Sequence, residues 1–206
     1  MAGIYRDSGA NLVTTNLARG TATAEHLSLY GLDRTGKAIV STAVGYDVMR
    51  QIFRAAKRKM FIDIPGNGII MAVPIKSVGG GSTLAYMIDG KVSSKGVPDM
   101  NFEYELIIVI LNEGYSDMVM DAARAAGAAG GTVLHAKGTA AAGTEKFFGV
   151  SLGTEKDVIY IVSNVREKAA IMKAVAGNAG TGTKAGAICF SLPVSAVAGL
   201  RRLDDD

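Results

Sequence analysis

The stretch Ala126-Gly-Ala-Ala-Gly-Gly-Thr-Val-Leu-His-Ala-Lys-Gly-Thr-Ala140 organises the whole chain, because an earlier stretch matches it without a gap. That earlier stretch is Ser8-Gly-Ala-Asn-Leu-Val-Thr-Thr-Asn-Leu-Ala-Arg-Gly-Thr-Ala22, which lies 118 positions before it. A second pair follows at almost the same spacing: residues 68–80 match residues 187–199, and both carry a proline after an apolar run. A repeat of this period predicts two copies of one domain-sized unit.

Composition narrows the class of protein. The chain has 206 residues, of which 49% are apolar and 20% charged, as in a globular protein. The longest apolar run, residues 106–111, is far too short to span a bilayer, and residues 1–20 contain no signal-peptide core. The single cysteine, Cys189, cannot form an internal disulfide, which favours a cytoplasmic location. The net charge of +3 gives no reason to expect nucleic-acid binding.

The second copy predicts the element order β-α-β-β-α-β of ferredoxin-like folds, in the α+β class. Ser116 is expected to cap the first helix, and Gly127 to leave that helix in the left-handed conformation. The second helix is expected to bury Ala169, Met172 and Val175. The predicted strands are residues 105–111, 132–136, 157–163 and 187–192, and the predicted helices are residues 116–126 and 166–176.

The first copy begins too late to hold a complete unit. Its predicted elements are strands at residues 12–17, 37–44 and 68–75 and a helix at residues 47–60. We therefore expect two tandem ferredoxin-like domains, the first lacking its N-terminal strand. The predicted boundaries are a first domain at residues 1–84, a linker at residues 85–103, and a second domain at residues 104–206.

The missing strand would be a central one, and its neighbours would have unmatched edges. Either the chain is shortened at its N-terminus or another segment takes the place of that strand. Residues 84–88 are the predicted filler. Residues 196–206 are predicted to be an exposed tail.

The glycine-rich stretch Gly180-Thr-Gly-Thr-Lys-Ala-Gly186 is the main candidate site. Backbone N–H groups in such a turn can cradle a phosphate while a lysine supplies the cation. The spacing is not that of a P-loop, and the alternative is a plain helix-to-strand turn. The matching turn of the first copy has no lysine and is expected to be structural. The candidate ligand residues in this turn are Thr181, Gly182, Thr183 and Lys184.

A second group of candidates lies where the second strand of each copy ends. Lys137, Gly138 and Thr139 could contact a bound anion, or they could form an ordinary strand exit with a solvated lysine. The counterpart in the first copy is residues 19–21, with the same two interpretations open.

Taken in order, these motifs resemble those of the PII-type nitrogen regulatory proteins. The resemblance covers residues 105–200 and rests on residues 106–110, 128–138, 181–186 and 192–194; a weaker copy covers residues 9–80. It implies a ferredoxin-like fold, a homo-oligomer with trimer-type packing, and an adenine nucleotide (ATP, ADP or AMP) bound between subunits. It also implies a loop after the second strand that contacts a target protein and helps to bind 2-oxoglutarate.

The resemblance also gives the tail arginines a role. Arg201 and Arg202 stand where the family has arginines that reach nucleotide phosphates, although they could instead pair with the aspartates of residues 204–206. The predicted loop at residues 138–146 is shorter than the target loop of the family. It holds neither the tyrosine that the family modifies nor the glutamine that helps to hold 2-oxoglutarate.

No set of residues typical of catalysis or of metal binding emerges. His26 and His135 do not match between the copies and have no second ligand at metal spacing, and Cys189 is expected to be buried and inert. The basic end of the first-copy helix could be a solvated face or could meet an acidic partner; its residues are Arg54, Lys57, Arg58 and Lys59.

The sequence thus predicts a PII-like regulatory protein, and not an enzyme. It would bind a small anionic effector and modulate a partner protein in nitrogen regulation, by shifting the population of loop conformations. Two alternatives stay open: an assembly module that keeps the fold without the ligand site, and a metal-related protein of the CutA type.

Overall fold

The computed structural model describes residues 1–21, 36–64, 67–75, 86, 102–137, 146–147, 150–151 and 155–200. Four helices have described bounds: α1 (Ala2–Asp7), α2 (Tyr46–Met60), α3 (Ser116–Ala125) and α4 (Val165–Ala179). The strands of the first half are β1 (Val13–Gly20), β2 (Gly36–Thr42) and β3 (Ile70–Ala72). Those that follow are β4 (Tyr104–Asn112), β5 (Thr132–Lys137), β6 (Lys146–Phe147), β7 (Val150–Ser151), β8 (Glu155–Asn164), β9 (Ile188–Val194) and β10 (Ala196–Ala198).

These residues group into two compact units. The first unit comprises Met1–Asn16, Ala38–Tyr104 and Pro193–Asp206, and the second comprises Leu17–Lys37 and Glu105–Leu192, each within the described ranges. Strands β1, β2 and β9 therefore contribute residues to both units. The predicted domain boundaries stay a prediction, because most of the predicted linker lies outside the described residues.

The second unit has the ferredoxin-like fold that the sequence predicts. Its elements follow the order β4-α3-β5-β8-α4-β9, and these four strands are arranged β5-β8-β4-β9 within the sheet. Strands β5 and β8 pair antiparallel from Thr132 opposite Tyr160 to Lys137 opposite Glu155. The ends of β1 and β2 extend this sheet beyond β5, with Arg19 opposite Val133. A short hairpin of β6 and β7 is separate from it.

The core of the second unit lies between one face of the sheet and the two helices. Alternate residues of a strand point to the same face, so Ile107, Val109 and Leu111 of β4 are buried together. They pack with Val119, Met120 and Ala123 of α3, with Ile159 and Ile161 of β8, and with Ile171, Val175 and Ala179 of α4. Gly131 leaves room for this packing, because a Cβ there would lie 2.9 Å from the Met120 sulfur.

The first unit contains the last described strand of the chain. Strand β10 pairs antiparallel with β3, with Val197 opposite Met71, and the backbone N–H of Ser195 donates to the Ala72 carbonyl at 2.9 Å. Ala198 is buried in the core of this unit with Tyr5, Ala10, Ile52, Ala56, Ile62 and Ile70. The prediction of an exposed tail at residues 196–206 is therefore wrong for β10.

The start of the chain agrees with the predicted loss of a strand. The described elements of the first half run α1-β1-β2-α2-β3, which is the ferredoxin-like order without its opening strand. Tyr86, the one described residue of the predicted filler, is helical and exchanges hydrogen bonds with Asn11. The rest of that filler lies outside the described residues, and β3 has β10 as its partner.

Two turns confirm the internal repeat at the level of hydrogen bonds. After α1, Gly9 donates to the Arg6 carbonyl at 2.9 Å and Ala10 donates to the Tyr5 carbonyl at 3.0 Å. After α3, residues 127 and 128 make the matching bonds to residues 124 and 123, at 2.9 and 3.0 Å. Gly9 and Gly127 have φ of 91° and 103°, the left-handed region that favours glycine at a helix exit.

Three local predictions need correction. The Ser116 side chain does not cap α3: its hydroxyl accepts a hydrogen bond from Arg19 at 2.5 Å, so it joins α3 to β1. In α4, Val175 is buried as predicted and Met172 packs half-buried against the core, but Ala169 is exposed, and Ile171 and Ala179 are buried instead. Helix α4 also runs three residues further than predicted, to Ala179.

Candidate functional site

The candidate site lies at one end of the sheet of the second unit, where β4 and β5 finish and β8 and β9 begin. Helix α4 ends at Ala179, and the turn at residues 180–186 leads into β9. The Thr183 hydroxyl and its backbone N–H both lie 2.9 Å from the Gly180 carbonyl oxygen. Because these bonds close the turn on itself, the side chains of Thr181 and Lys184 remain exposed.

Asn112, the last residue of β4, holds this turn in place. Its backbone N–H donates to the Ala185 carbonyl at 2.9 Å, and its side-chain amide donates to the Lys184 carbonyl at 2.9 Å. Its Oδ1 accepts a hydrogen bond from Lys156 of β8 at 2.6 Å. One asparagine thus connects the turn to two strands and brings the Lys156 ammonium to the same end of the sheet.

The three lysines at this end of the sheet differ in their partners. Lys137 forms an ion pair with Glu155 at 3.1 Å, and Lys156 is bound to Asn112. Within the part of the chain that the structure describes, the Lys184 ammonium has no hydrogen-bond or ion-pair partner. It is therefore available to an anion. The Lys137–Glu155 pair is largely exposed, and such pairs contribute only about 0–1 kcal/mol to stability.

A buried carboxyl group lies at the same end of the sheet. Asp157 is fully buried, its Oδ1 lies 2.8 Å from His135 Nδ1, and its Oδ2 accepts from the Gly114 backbone N–H at 3.3 Å. Glu113 lies 3.7 Å from the same imidazole nitrogen. Asp157 therefore connects β8 to the turn after β4 through Gly114, and the His135 imidazole of β5 lies against the same carboxyl group. Among the described residues no group of three or more His, Cys, Asp or Glu could hold a metal ion.

The predicted ligand residues fall into two sets. The first set lies at this end of the sheet within the described residues. It contains one exposed turn, of Thr181, Gly182, Thr183 and Lys184, and it contains Lys137, which forms an ion pair with Glu155. The backbone N–H of Glu113 donates to the Glu155 carbonyl at 3.4 Å, which links these strands further. Gly138, Thr139, Arg201 and Arg202 lie outside the described residues.

The first-copy counterpart of the Lys137 group has a structural role. The Arg19 guanidinium donates to Ser116, and Thr21 exchanges hydrogen bonds with Gly131 through its hydroxyl and its backbone N–H. The Arg124 guanidinium donates to the Thr21 carbonyl. Of the two interpretations left open by the sequence, these bonds favour the ordinary strand exit for residues 19–21.

Cys189 is the second residue of β9 and is half-buried against the core. Burial raises the pKa of its thiol, and the thiol lies 3.9 Å from the Met172 carbonyl. A raised pKa keeps the thiol protonated at neutral pH, when it is a poor nucleophile.

The sequence did not indicate Asn112 and Lys156 as site residues, nor the burial of Asp157. An asparagine directly after an apolar strand is a recognisable pattern, since polar groups at strand ends often bind neighbouring backbone. Asp157 precedes an apolar run in the sequence. Its burial could not be foreseen, because β8 lies between strands from other parts of the chain.

No family model and no curated protein matches the chain. Among solved structures, the chain is similar to PII of Arabidopsis thaliana bound to citrate, at 22% identity and a TM-score of 0.36. That similarity covers 48% of this chain and 81% of the other. Among the described residues, no helix is long and apolar enough to cross a membrane.

Proposed function

We propose that the chain is a cytoplasmic PII-like regulatory protein whose second unit binds a small anionic effector. An adenine nucleotide is the first candidate, bound through its phosphates at residues 180–186. The observation that carries the proposal is the exposed turn itself, which Asn112 holds in place and whose Lys184 ammonium has no partner among the described residues. Rigid polar turns with a free cation are suited to phosphate, because little ordering is needed on binding.

The effector would act by competition between anions. A phosphate held by Lys184 lies at the end of the sheet that also carries the Lys137–Glu155 pair. Because that pair is weak and exposed, a bound anion with more charge than a carboxylate can take Lys137 from Glu155. Residues after Lys137 would then change their conformational population, and a partner protein in nitrogen regulation would read that change.

Calorimetry tests the binding step. ATP, ADP, AMP and citrate are titrated into the full chain and into Lys184→Ala, with Lys173→Ala as the matched control. Lys173 is an exposed lysine of α4, outside the turn. We expect Lys184→Ala to weaken nucleotide binding at least tenfold, since a charge-assisted hydrogen bond contributes about 1.5–3 kcal/mol. Absence of heat with every ligand, or equal weakening in Lys173→Ala, would contradict the proposal.

A second candidate function is assembly. Every second residue of β9, from its first, is a large apolar residue that is partly exposed. The exposed fractions are 52% for Ile188, 44% for Phe190 and 36% for Leu192. Alternation places them on one face of a strand that ends the order of described strands. Such a stripe is suited to a second copy of the chain. Light scattering of the wild type and of Phe190→Asp tests this function: a monomer in both cases would rule it out.

A further inference from the structure

A cavity in the first unit lies outside the site already described. It has a volume of about 450 Å³, within the range of small-molecule sites. Its lining comes from helix α2 and from the start of β10, and every lining residue belongs to the first unit. The lining residues are Tyr46, Met49, Arg50, Phe53, Arg54, Ser195 and Ala196.

The spacing of the α2 residues makes one continuous wall. Tyr46, Met49, Arg50 and Phe53 are three, four and seven positions apart, so they share a face of the helix. The three apolar members are half-buried, while Ile52 and Ala56 on the neighbouring face lie in the core. The wall is therefore fixed by the packing of α2, and it offers aromatic and thioether surface to a ligand.

The guanidinium groups supply positive charge to this wall. Arg50 lies over the Tyr46 ring, 5.9 Å from its centroid, which holds the guanidinium against the aromatic surface. Arg54 follows one turn later, and like charges at this spacing repel each other. None of the carboxylates in the described ranges pairs with either arginine, whereas Lys57 and Lys59 of the same helix pair with Asp63 and Asp7. The two arginines are left to attract an anion.

Ser195 and Ala196 contribute the rest of the lining. Ser195 lies between β9 and β10, and both its backbone N–H and its hydroxyl donate to the Ala72 carbonyl, at 2.9 and 3.2 Å. These bonds hold the backbone of the strand that faces α2. The cavity thus combines two guanidiniums, aromatic surface and a fixed strand.

We propose that this cavity binds an aromatic phosphate of mononucleotide size, as a second ligand site separate from residues 180–186. The arginines would hold the phosphate through paired N–H donors, and the ring would pack against Tyr46 and Phe53. The matching positions of α4 carry Val165, Ala169, Met172 and Lys173 in place of Tyr46, Arg50, Phe53 and Arg54. The second unit therefore has no equivalent pair of arginines on this face.

The proposal is tested by calorimetric titration of three ligands into the full chain: phenyl phosphate, inorganic phosphate and AMP. The variant Arg50→Ala/Arg54→Ala removes both guanidiniums, and Arg58→Ala is the matched control. Arg58 is an exposed arginine of α2 outside the cavity. We expect phenyl phosphate binding to weaken at least tenfold in the double variant and by less than twofold in Arg58→Ala. All mutated side chains are exposed, and thermal melting confirms that the variants are folded.

Further variants separate ring recognition and the two sites. Phe53→Leu should weaken the binding of phenyl phosphate and leave the binding of inorganic phosphate unchanged. Lys184→Ala should leave phenyl phosphate binding intact, so failure of the effector site and failure of this site are distinguishable. Undiminished binding by Arg50→Ala/Arg54→Ala would overturn the proposal. So would equal loss in Arg58→Ala, which would indicate general attraction to a basic helix.

Discussion

Helices α2 and α4 are two versions of one element. Both have 15 residues, and their bounds are offset by 119 positions. Two of their buried positions also coincide: Ile52 and Ala56 in the first correspond to Ile171 and Val175 in the second. Their exposed faces differ, since α2 carries arginines and lysines where α4 carries mostly small residues. Buried positions keep the fold, while the solvent face is free to take a separate function.

The two units also differ in how their sheets are completed. In the second copy the first strand in sequence, β4, lies between β8 and β9. The first unit has no such strand among its described residues, and β3 pairs with β10 from the other end of the chain. A repeated sequence can therefore fold with different closing strands, because backbone pairing needs a partner and does not specify its position in sequence.

The largest expected effect compares the two helices directly. Ile52→Ala and Ile171→Ala remove matched side chains that are 2% and 0% exposed. Each should lower the free energy of unfolding by about 2–5 kcal/mol, because the substitution leaves a cavity in a close-packed core. Hydrogen exchange locates the effect. Loss of protection confined to the mutated unit supports two separate cores, and equal loss in both units would show one cooperative structure.

A second variant tests the closing strand of the first unit. Gly199 has φ of 83°, and a Cβ there would overlap the Gly68 carbonyl oxygen and lie 2.7 Å from that of Ile62. Gly199→Ala should therefore lose about 1–3 kcal/mol through strain alone, measured by denaturant unfolding.

The control for that variant is Gly3→Ala in α1, where a Cβ meets nothing within 4 Å. A helical Gly-to-Ala change should gain up to about 1 kcal/mol. A Gly199→Ala protein as stable as the wild type would show that β10 is not essential to the first unit.

A third comparison uses the two helix exits. Gly9→Ala and Gly127→Ala each place a side chain in the left-handed region, at a cost of about 1–2 kcal/mol. Because both turns make the same pair of hydrogen bonds, thermal unfolding should give losses that agree within error. A large inequality would mean that the repeat is alike in geometry but not in energy.

The smallest expected effect on the free energy of unfolding concerns Tyr5, a residue of the first unit. Burial raises the pKa of its phenol, and its hydroxyl donates to the Val40 carbonyl at 3.3 Å. A raised folded-state pKa means that this stabilisation is fully present below pH 10 and is lost as the pH rises through the folded pKa.

Tyr5→Phe tests this effect through unfolding at two values of pH. At pH 7 the variant should be less stable by about 0.5–1.5 kcal/mol, the contribution of one hydrogen bond. Above pH 10 the difference from wild type should shrink. A constant difference across this range would show that Tyr5 does not ionise on unfolding.

The sequence predicted the features that depend on local pattern. The helix exit at Gly127 and the bounds of α2 followed from residues close together in the chain, and the repeat made each copy a check on the other. The turn at residues 180–186 was recognisable for the same reason. Features that depend on distant partners were missed. Ala196–Ala198 is too short and too rich in alanine to indicate a strand, and its structure comes from pairing with β3. The hydrogen bond of Ser116 to Arg19 joins residues from different copies.

The pairing of β3 with β10 also sets an order of events during synthesis. A ribosome makes the chain from its N-terminus, and early domains generally fold while later ones are still being made. Here the core that contains Tyr5 and Ile52 also contains Ala198. The core of the first unit can therefore be completed only after Ala198 has been made, whereas the second unit needs no residue beyond Leu192. The segments of the first unit that are made early thus cannot complete their core until all residues of the second unit have been made.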